Sequence, residues 1–321
     1  MIGKSRGALY LGIVASVNLL WAAQYPAYKI ASEALPAATL NFWTFVFALG
    51  VLVPCRFALR SRIHPQSIER SSLLGTDVLR LVVLGLLGIV PPSVLLAWGI
   101  AKSSAANASI LALTIPVLMS VLAVVLLHER LTWLRLASLS AGLVGTLLLS
   151  SSDLKHFSLD PHMAVGNGVI FLSGLGSAFY NAYGKRLLAR FSALDLLVYS
   201  EGVACLACLL IALCFARDSL LNAAHYTPRL WVAMAVLGLI PWGLAMVLWL
   251  FMLTKLDLSQ LSVSVYLLPV FGLALSVLSL NEHIGVAQVF GSVLVLAGTA
   301  ALTLFEAAQM RRNRIVEAIR S

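Results

Sequence analysis

Apolar runs of helix-spanning length alternate along the chain with short stretches that collect its charges, prolines and glycines. About 20 apolar residues in helical form cross the hydrocarbon core of a bilayer. Ten runs meet that length, at 7–30, 36–59, 78–101, 104–127, 131–150, 163–189, 193–216, 229–254, 258–280 and 285–306. The connections between them are short, which leaves no room for a separate soluble domain. The pattern predicts an all-α integral membrane protein of ten transmembrane helices.

Composition agrees. The 321 residues are 60% hydrophobic and 11% charged, with a mean hydropathy of +0.96, far from the balance of soluble domains. Lipid is the expected partner for much of that surface. The net charge of +9 does not point to nucleic acid, because the basic residues sit at the ends of apolar runs and not on one solvated face. Seventeen of the 22 Lys and Arg fall on one side of a ten-span topology, and only Lys29, Lys102, Lys155, Arg217 and Arg229 on the other. The positive-inside rule then places both termini in the cytoplasm; the expected location is the cell's inner (plasma) membrane. The four cysteines, including Cys205-x-x-Cys208, lie in or beside apolar runs and read as packing residues, and no metal site or cofactor is expected.

The second half repeats the first. Residues 85–149 slide onto 238–302 without a gap, matching Gly85 with Gly238, Lys102 with Lys255, Pro116–Val117 with Pro269–Val270, Glu129 with Glu282, and Gly145–Thr146 with Gly298–Thr299. Nearer each start, Tyr25, Ala27 and Tyr28 match Tyr180, Ala182 and Tyr183. Five helices per copy is an odd number, so the second copy enters the membrane from the opposite side. The expected organisation is two inverted-topology repeats, 7–150 and 163–306, followed by a basic cytoplasmic tail at 307–321. Inverted repeats are the architecture of secondary transporters that expose a midplane site to each side in turn.

Trp21-Ala-Ala-Gln-Tyr-Pro-Ala-Tyr-Lys29 in the first helix, the mid-helix prolines Pro116 and Pro269, the Glu129 and Glu282 motifs, and the Gly-Thr pairs near the ends of helices five and ten give the chain a resemblance to a known family. From about residue 7 to 306 it resembles the drug/metabolite transporter superfamily, in its two-repeat EamA-type branch. The resemblance implies a central cavity, alternating access, and export of amino acids or other small metabolites. The second copy departs from the first where Gly176 stands opposite Trp21 and Asn181 opposite Pro26.

Candidate transport residues follow from what lipid excludes. Polar and aromatic groups on one helix face suit a wet cavity better than lipid tails. In helix one, Asn18, Trp21, Tyr25 and Tyr28 share such a face; in helix six, Ser173, Ser177, Tyr180 and Asn181 do; in helix nine, Ser259, Ser262 and Tyr266 do, beside Pro269. Helix–helix hydrogen bonding is the competing explanation for each. Trp98, Trp242 and Trp249 could bound an aromatic pocket or serve packing. Pro116 and Pro269 are candidate hinges, because proline deletes a backbone donor; Pro91, Pro92 and Pro241 interrupt helices three and eight in the same way. Glu201 is the one acidic residue well inside a span and calls for a basic partner, a proton or water. It is the candidate for proton coupling, but a structural pairing, with a cytoplasmic Arg or Lys or the start of a neighbouring helix, is the expected role. Glu129 and Glu282 are expected to cap the helices that follow them, five and ten.

No catalytic constellation is evident: there is no His-Glu-x-x-His and no nucleotide-binding glycine loop. The chain reads as a carrier of small molecules and not an enzyme, with a channel, a membrane enzyme or a scaffold subunit as alternatives.

Overall fold

The computed structural model describes residues 2–63, 75–158, 160–280 and 285–320, which are helical nearly throughout and contain no strand. Ten apolar helices are present: α1 (Ala8–Ala34), α2 (Ala37–Leu59), α3 (Gly75–Ala101), α4 (Asn107–Leu127), α5 (Trp133–Leu149), α6 (Pro161–Leu187), α7 (Ala193–Phe215), α8 (Pro228–Leu253), α9 (Leu258–Leu275) and α10 (Val286–Glu306). Nine are long enough to cross a bilayer by themselves. Helix α5, at 17 residues, is the shortest, and at 1.5 Å per residue it still reaches about 25 Å. Ten spans put both chain ends on one side, called the terminal face below. The helix of α10 continues beyond the apolar region to Arg320.

The bundle wears its apolar side chains outward. Phe215, Phe290, Val125 and Leu87 are among the large hydrophobics left exposed, as expected where lipid and not water is the solvent. Buried positions are occupied by small or polar side chains as often as by large ones, since close backbone approach and hydrogen bonding hold membrane helices together.

The two repeats interlock. Helix α1 packs against α8 and α9 of the other copy, and α6 packs correspondingly against α3 and α4. The same exchange relates α2 on α8 to α7 on α3, while α2–α7, α4–α9 and α5–α10 pair each helix with its own repeat mate. Glycines make this possible at matched places. A Cβ on Gly85 would lie 2.7 Å from the Ser200 carbonyl of α7, and one on its repeat mate Gly238 would collide with the Thr44 carbonyl of α2.

Four of the inner helices are interrupted, also in matched pairs. Helix α4 breaks at Leu113–Thr114 and α9 at Val265–Tyr266, in each case a few residues before the repeated proline, Pro116 or Pro269. At both breaks the backbone tightens to shorter turns: Leu113 N donates to Ile110 O at 3.1 Å and Val265 N to Ser262 O at 3.1 Å. In α3 the backbone loosens into π-helix over Leu84–Ile89 and Pro91–Leu95, and in α8 over Gly238–Ala245 around Pro241. Proline cannot donate to the preceding turn, so the ladder must either break or widen there. Helix α1 has its own break at Ala23–Gln24, ahead of Pro26.

Candidate functional site

The interrupted helices meet around one cavity of about 250 Å³ near the middle of the bundle. Helix α1 contributes Trp21 and Gln24; α6 contributes Ser177, Tyr180 and Asn181; α8 contributes Pro241, Trp242, Met246 and Trp249. The π-helical part of α3 adds Gly88, Ile89 and Pro92, and the broken helices α4 and α9 add Ile115, Met119, Val265 and Leu268. Among the described residues no Lys, Arg, His, Asp or Glu lines it. Four aromatic rings and a few neutral polar groups do.

Those groups are held in place. The Trp21 and Trp249 rings approach to 5.1 Å between centroids at 55°. Asn181 Oδ1 accepts from Trp249 Nε1 at 2.5 Å while its amide donates to the Ser177 carbonyl at 2.9 Å. With Trp249 only 1% exposed, this indole forms a fixed floor on the side toward the terminal face. Tyr180 is pressed against Gly88, where any added Cβ would stand 2.8 Å from the tyrosine Cβ. Its hydroxyl reaches Ser200 of α7 at 3.5 Å.

Of the residues singled out in the sequence, Trp21, Ser177, Tyr180, Asn181, Trp242 and Trp249 come together at the cavity, with Pro92 and Pro241 beside them. The others stand elsewhere. Asn18 is wholly buried and donates to the Val14 carbonyl at 2.9 Å. Tyr28 packs with Ala31, Leu35 and Leu230 against the start of α8. Of the face expected in helix one, only Trp21 lines the cavity: Asn18 turns its amide onto its own helix, and Tyr28 lies beyond the break at Ala23–Gln24. The Tyr25 side chain lies outside the described residues. Ser173 is buried within α6. Ser262 bonds Ser120 of α4 at 2.7 Å, and Ser259 lies at the terminal face. Tyr266, at the α9 break, donates to the Leu113 carbonyl at the α4 break, 3.1 Å away. Trp98 is half exposed on the outside of the bundle.

Glu201 lies one layer outside the wall on α7, fully buried, within electrostatic reach of Tyr180 and Cys205. Neither carboxylate oxygen has a hydrogen-bond partner among the described residues. The expected pairing with Arg or Lys is absent there, because the nearest ion pair on that helix, Arg56 with Asp195, lies a turn and a half closer to the terminal face.

Much of the polar chemistry lies at that face. Eight ion pairs join side chains described in full, and all eight are there. Glu129 was expected to cap α5. Instead Thr132 caps α5, accepting from Arg135 N at 3.3 Å, and Glu129 reaches across to the other repeat. It accepts from Leu258 N at 2.8 Å, Ser259 N at 2.9 Å and Ser259 Oγ at 2.7 Å at the start of α9, and from Lys185 Nζ of α6 at 3.0 Å. The loop after α4 turns back through His128 in the left-handed conformation (φ 55°), which aims Glu129 inward. Glu282 lies outside the described residues.

Burial alone would raise the Glu129 carboxyl, but the donors from Ser259 and Leu258 and the Lys185 ammonium outweigh it and hold its pKa below the ordinary 4.5. A folded value below the unfolded one means the stabilisation is complete above about pH 4.5 and fades as pH falls through the lowered value. Glu129→Gln is therefore expected to melt below the parent at neutral pH in detergent, with the gap narrowing in acid. A gap that persists unchanged below about pH 3 would contradict the assignment.

A duplicated ten-helix membrane bundle, with one uncharged cavity where its interrupted helices meet, defines the class: a polytopic inverted-repeat membrane protein. The chain belongs to the EamA-like transporter family, whose pattern it matches twice, over residues 7–151 and 164–304. An uncharacterized transporter of Archaeoglobus fulgidus is 26% identical, over 91% of this chain and 96% of its own length. A protein of Streptantibioticus cattleyicolor named a probable terminal-alkyne amino-acid exporter is 25% identical, over 92% of each chain. One crystal structure shares the fold, with a TM-score of 0.73 over 94% of this chain and 98% of the other at 22% identity.

Proposed function

We propose that this protein is an alternating-access carrier that exports small, overall uncharged amphipathic metabolites, amino acids foremost, across the cytoplasmic membrane with both termini inside. The cavity carries this reading: it sits at the junction of two inverted repeats and offers indole and phenol faces with neutral hydrogen-bonding groups, but no fixed charge to hold a sugar phosphate. Aromatic faces attract both aromatic rings and ammonium groups. The likeness to a probable amino-acid exporter supports the substrate class, and the excess of Lys and Arg on the terminal face supports the orientation. Each repeat serves as one domain of the carrier. Glu201, buried beside Tyr180 with no hydrogen-bond partner among the described residues, is the group we assign to proton coupling.

The test is flux into vesicles containing the purified protein. Uptake of labelled aromatic and aliphatic amino acids should saturate and show counterflow, which a channel would not. Trp249→Ala and Trp21→Ala should each raise the half-saturation concentration about tenfold, the loss of one ring contact worth roughly 1–1.5 kcal/mol. Glu201→Gln should abolish the response of flux to an imposed pH gradient while leaving counterflow intact. Equal flux in parent and tryptophan variants would remove the cavity from the mechanism.

A further inference from the structure

We infer that the Glu129–Lys185 pair, clamped on the start of α9, is the lock that keeps the cavity closed to the terminal face, and that it opens once in every transport cycle. The inference rests on the alternating-access reading and adds to it the residues that form the gate.

The lock lies directly below the cavity on the same helices. Lys185 is one helical turn beyond Asn181 on α6, and Ser259 under two turns beyond Val265 on α9, so the cluster sits about 6–9 Å from the cavity floor. Three layers intervene between cavity and face. The first is the Trp249–Asn181 floor, the second is the buried Ser120–Ser262 bond between α4 and α9 at 2.7 Å, and the third is the ion cluster. Lys185 makes the third layer continuous by donating also to the Leu256 carbonyl at 2.6 Å, just before α9. Glu129 thus ties the end of α4 to the start of α9 and the end of α6, the helices whose terminal-face ends must separate to open a passage there.

Its construction suits a part that moves. Glu129 binds the other repeat through three backbone or hydroxyl donors and one ammonium, all of which water can replace when the helices part. Arg135 backs the same cluster from the α5–α10 side: it is forked onto Glu306, holds Asp257 at 2.6 Å and Ser259 Oγ at 2.7 Å at the start of α9, and lies 4.0 Å from Glu129. With the terminal face locked, access to the cavity in this conformation is expected from the opposite face.

Sidedness of labelling tests this without any substrate. In a background with Cys55, Cys205, Cys208 and Cys214 replaced, Ser177→Cys places one thiol in the cavity wall. A membrane-impermeant maleimide should label it from the face opposite the termini and poorly from the terminal face. Adding Lys185→Met or Glu129→Gln should raise labelling from the terminal face about tenfold and lower it from the other. Oxidised Ser120→Cys/Ser262→Cys should join α4 to α9, abolish labelling from the terminal face and stop flux, with reduction restoring both. Unchanged sidedness in folded Lys185→Met and Glu129→Gln proteins overturns the lock, as does labelling from the terminal face through the cross-linked protein. If sidedness shifts as expected but no variant or parent shows counterflow, the lock stands and the carrier reading fails.

Discussion

Arg135→Ala is expected to remove most of the protein's stability, lowering the melting temperature in detergent by on the order of 10 °C. The guanidinium is 8% exposed and fully engaged: Nε to Glu306 at 2.6 Å, one terminal nitrogen to Glu306 at 3.0 Å and Asp257 at 2.6 Å, the other to Ser259 Oγ at 2.7 Å. Truncation strands the Glu306 carboxylate, itself buried, and removing one member of a buried ion pair costs about 3–5 kcal/mol. For a chain of this size each kcal/mol shifts melting by roughly 2–4 °C. Arg135→Lys should recover only part of the loss, because an ammonium cannot reproduce the two parallel bonds to Glu306. The double substitution Arg135→Met/Glu306→Leu should be more stable than Arg135→Ala, since removing both charges is far less costly than orphaning one. A melting curve for Arg135→Ala that overlays the parent would show that the fork is incidental.

How far the sequence disclosed this structure differs by level, for physical reasons. All ten spans were legible because lipid imposes a length and an apolarity that few other environments do. The repeat was legible because the residues it preserves have structural jobs in both copies: Gly85 and Gly238 allow the α3–α7 and α2–α8 approaches, and Pro116 and Pro269 follow the two breaks. Helical-wheel reasoning placed Ser177, Tyr180 and Asn181 together because α6 runs unbroken from Ala164 to Leu187. It carried less far in α1 and α9, where a break lies between Trp21 and Tyr28 and between Ser262 and Pro269, and where Asn18 and Ser262 spend their polar groups on Val14 and Ser120. Five of the sixteen residues of the cavity wall were illegible for another reason: Ile89, Ile115, Met119, Val265 and Leu268 are apolar, and a lipid-facing side chain looks the same in sequence as one facing an apolar cavity. Glu129 was recognised as a cap but assigned to the adjacent helix, since nothing in a linear chain announces that the start of α9 is the nearer one in space.

The paired breaks in α4 and α9 are where a small added side chain is expected to have its largest effect on transport. Leu113 and Tyr266 are repeat mates, and the hydrogen bond from the Tyr266 hydroxyl to the Leu113 carbonyl joins the break in α4 to the break in α9. One edge of the tyrosine ring lies against Gly142 of α5, so closely that a Cβ there would collide with its Cδ2. The ring is 1% exposed and tethered at its far end, and so has nowhere to go without dragging one of the breaks with it. Gly142→Val is therefore expected to cut the initial rate of flux about tenfold or more, in line with the roughly 1–3 kcal/mol typical of overpacking. Tyr266→Phe, which loses the bond but keeps the ring, should fall by a smaller factor. Gly142→Val/Tyr266→Leu should regain rate relative to Gly142→Val alone, because the smaller side chain makes room for the added methyls. The atoms nearest a Cβ at Gly142 all belong to Tyr266, which does not line the cavity, so half-saturation should hold while the maximal rate falls. A change confined to half-saturation would instead place the defect in binding, and the paired breaks would lose their claim to be the moving joint.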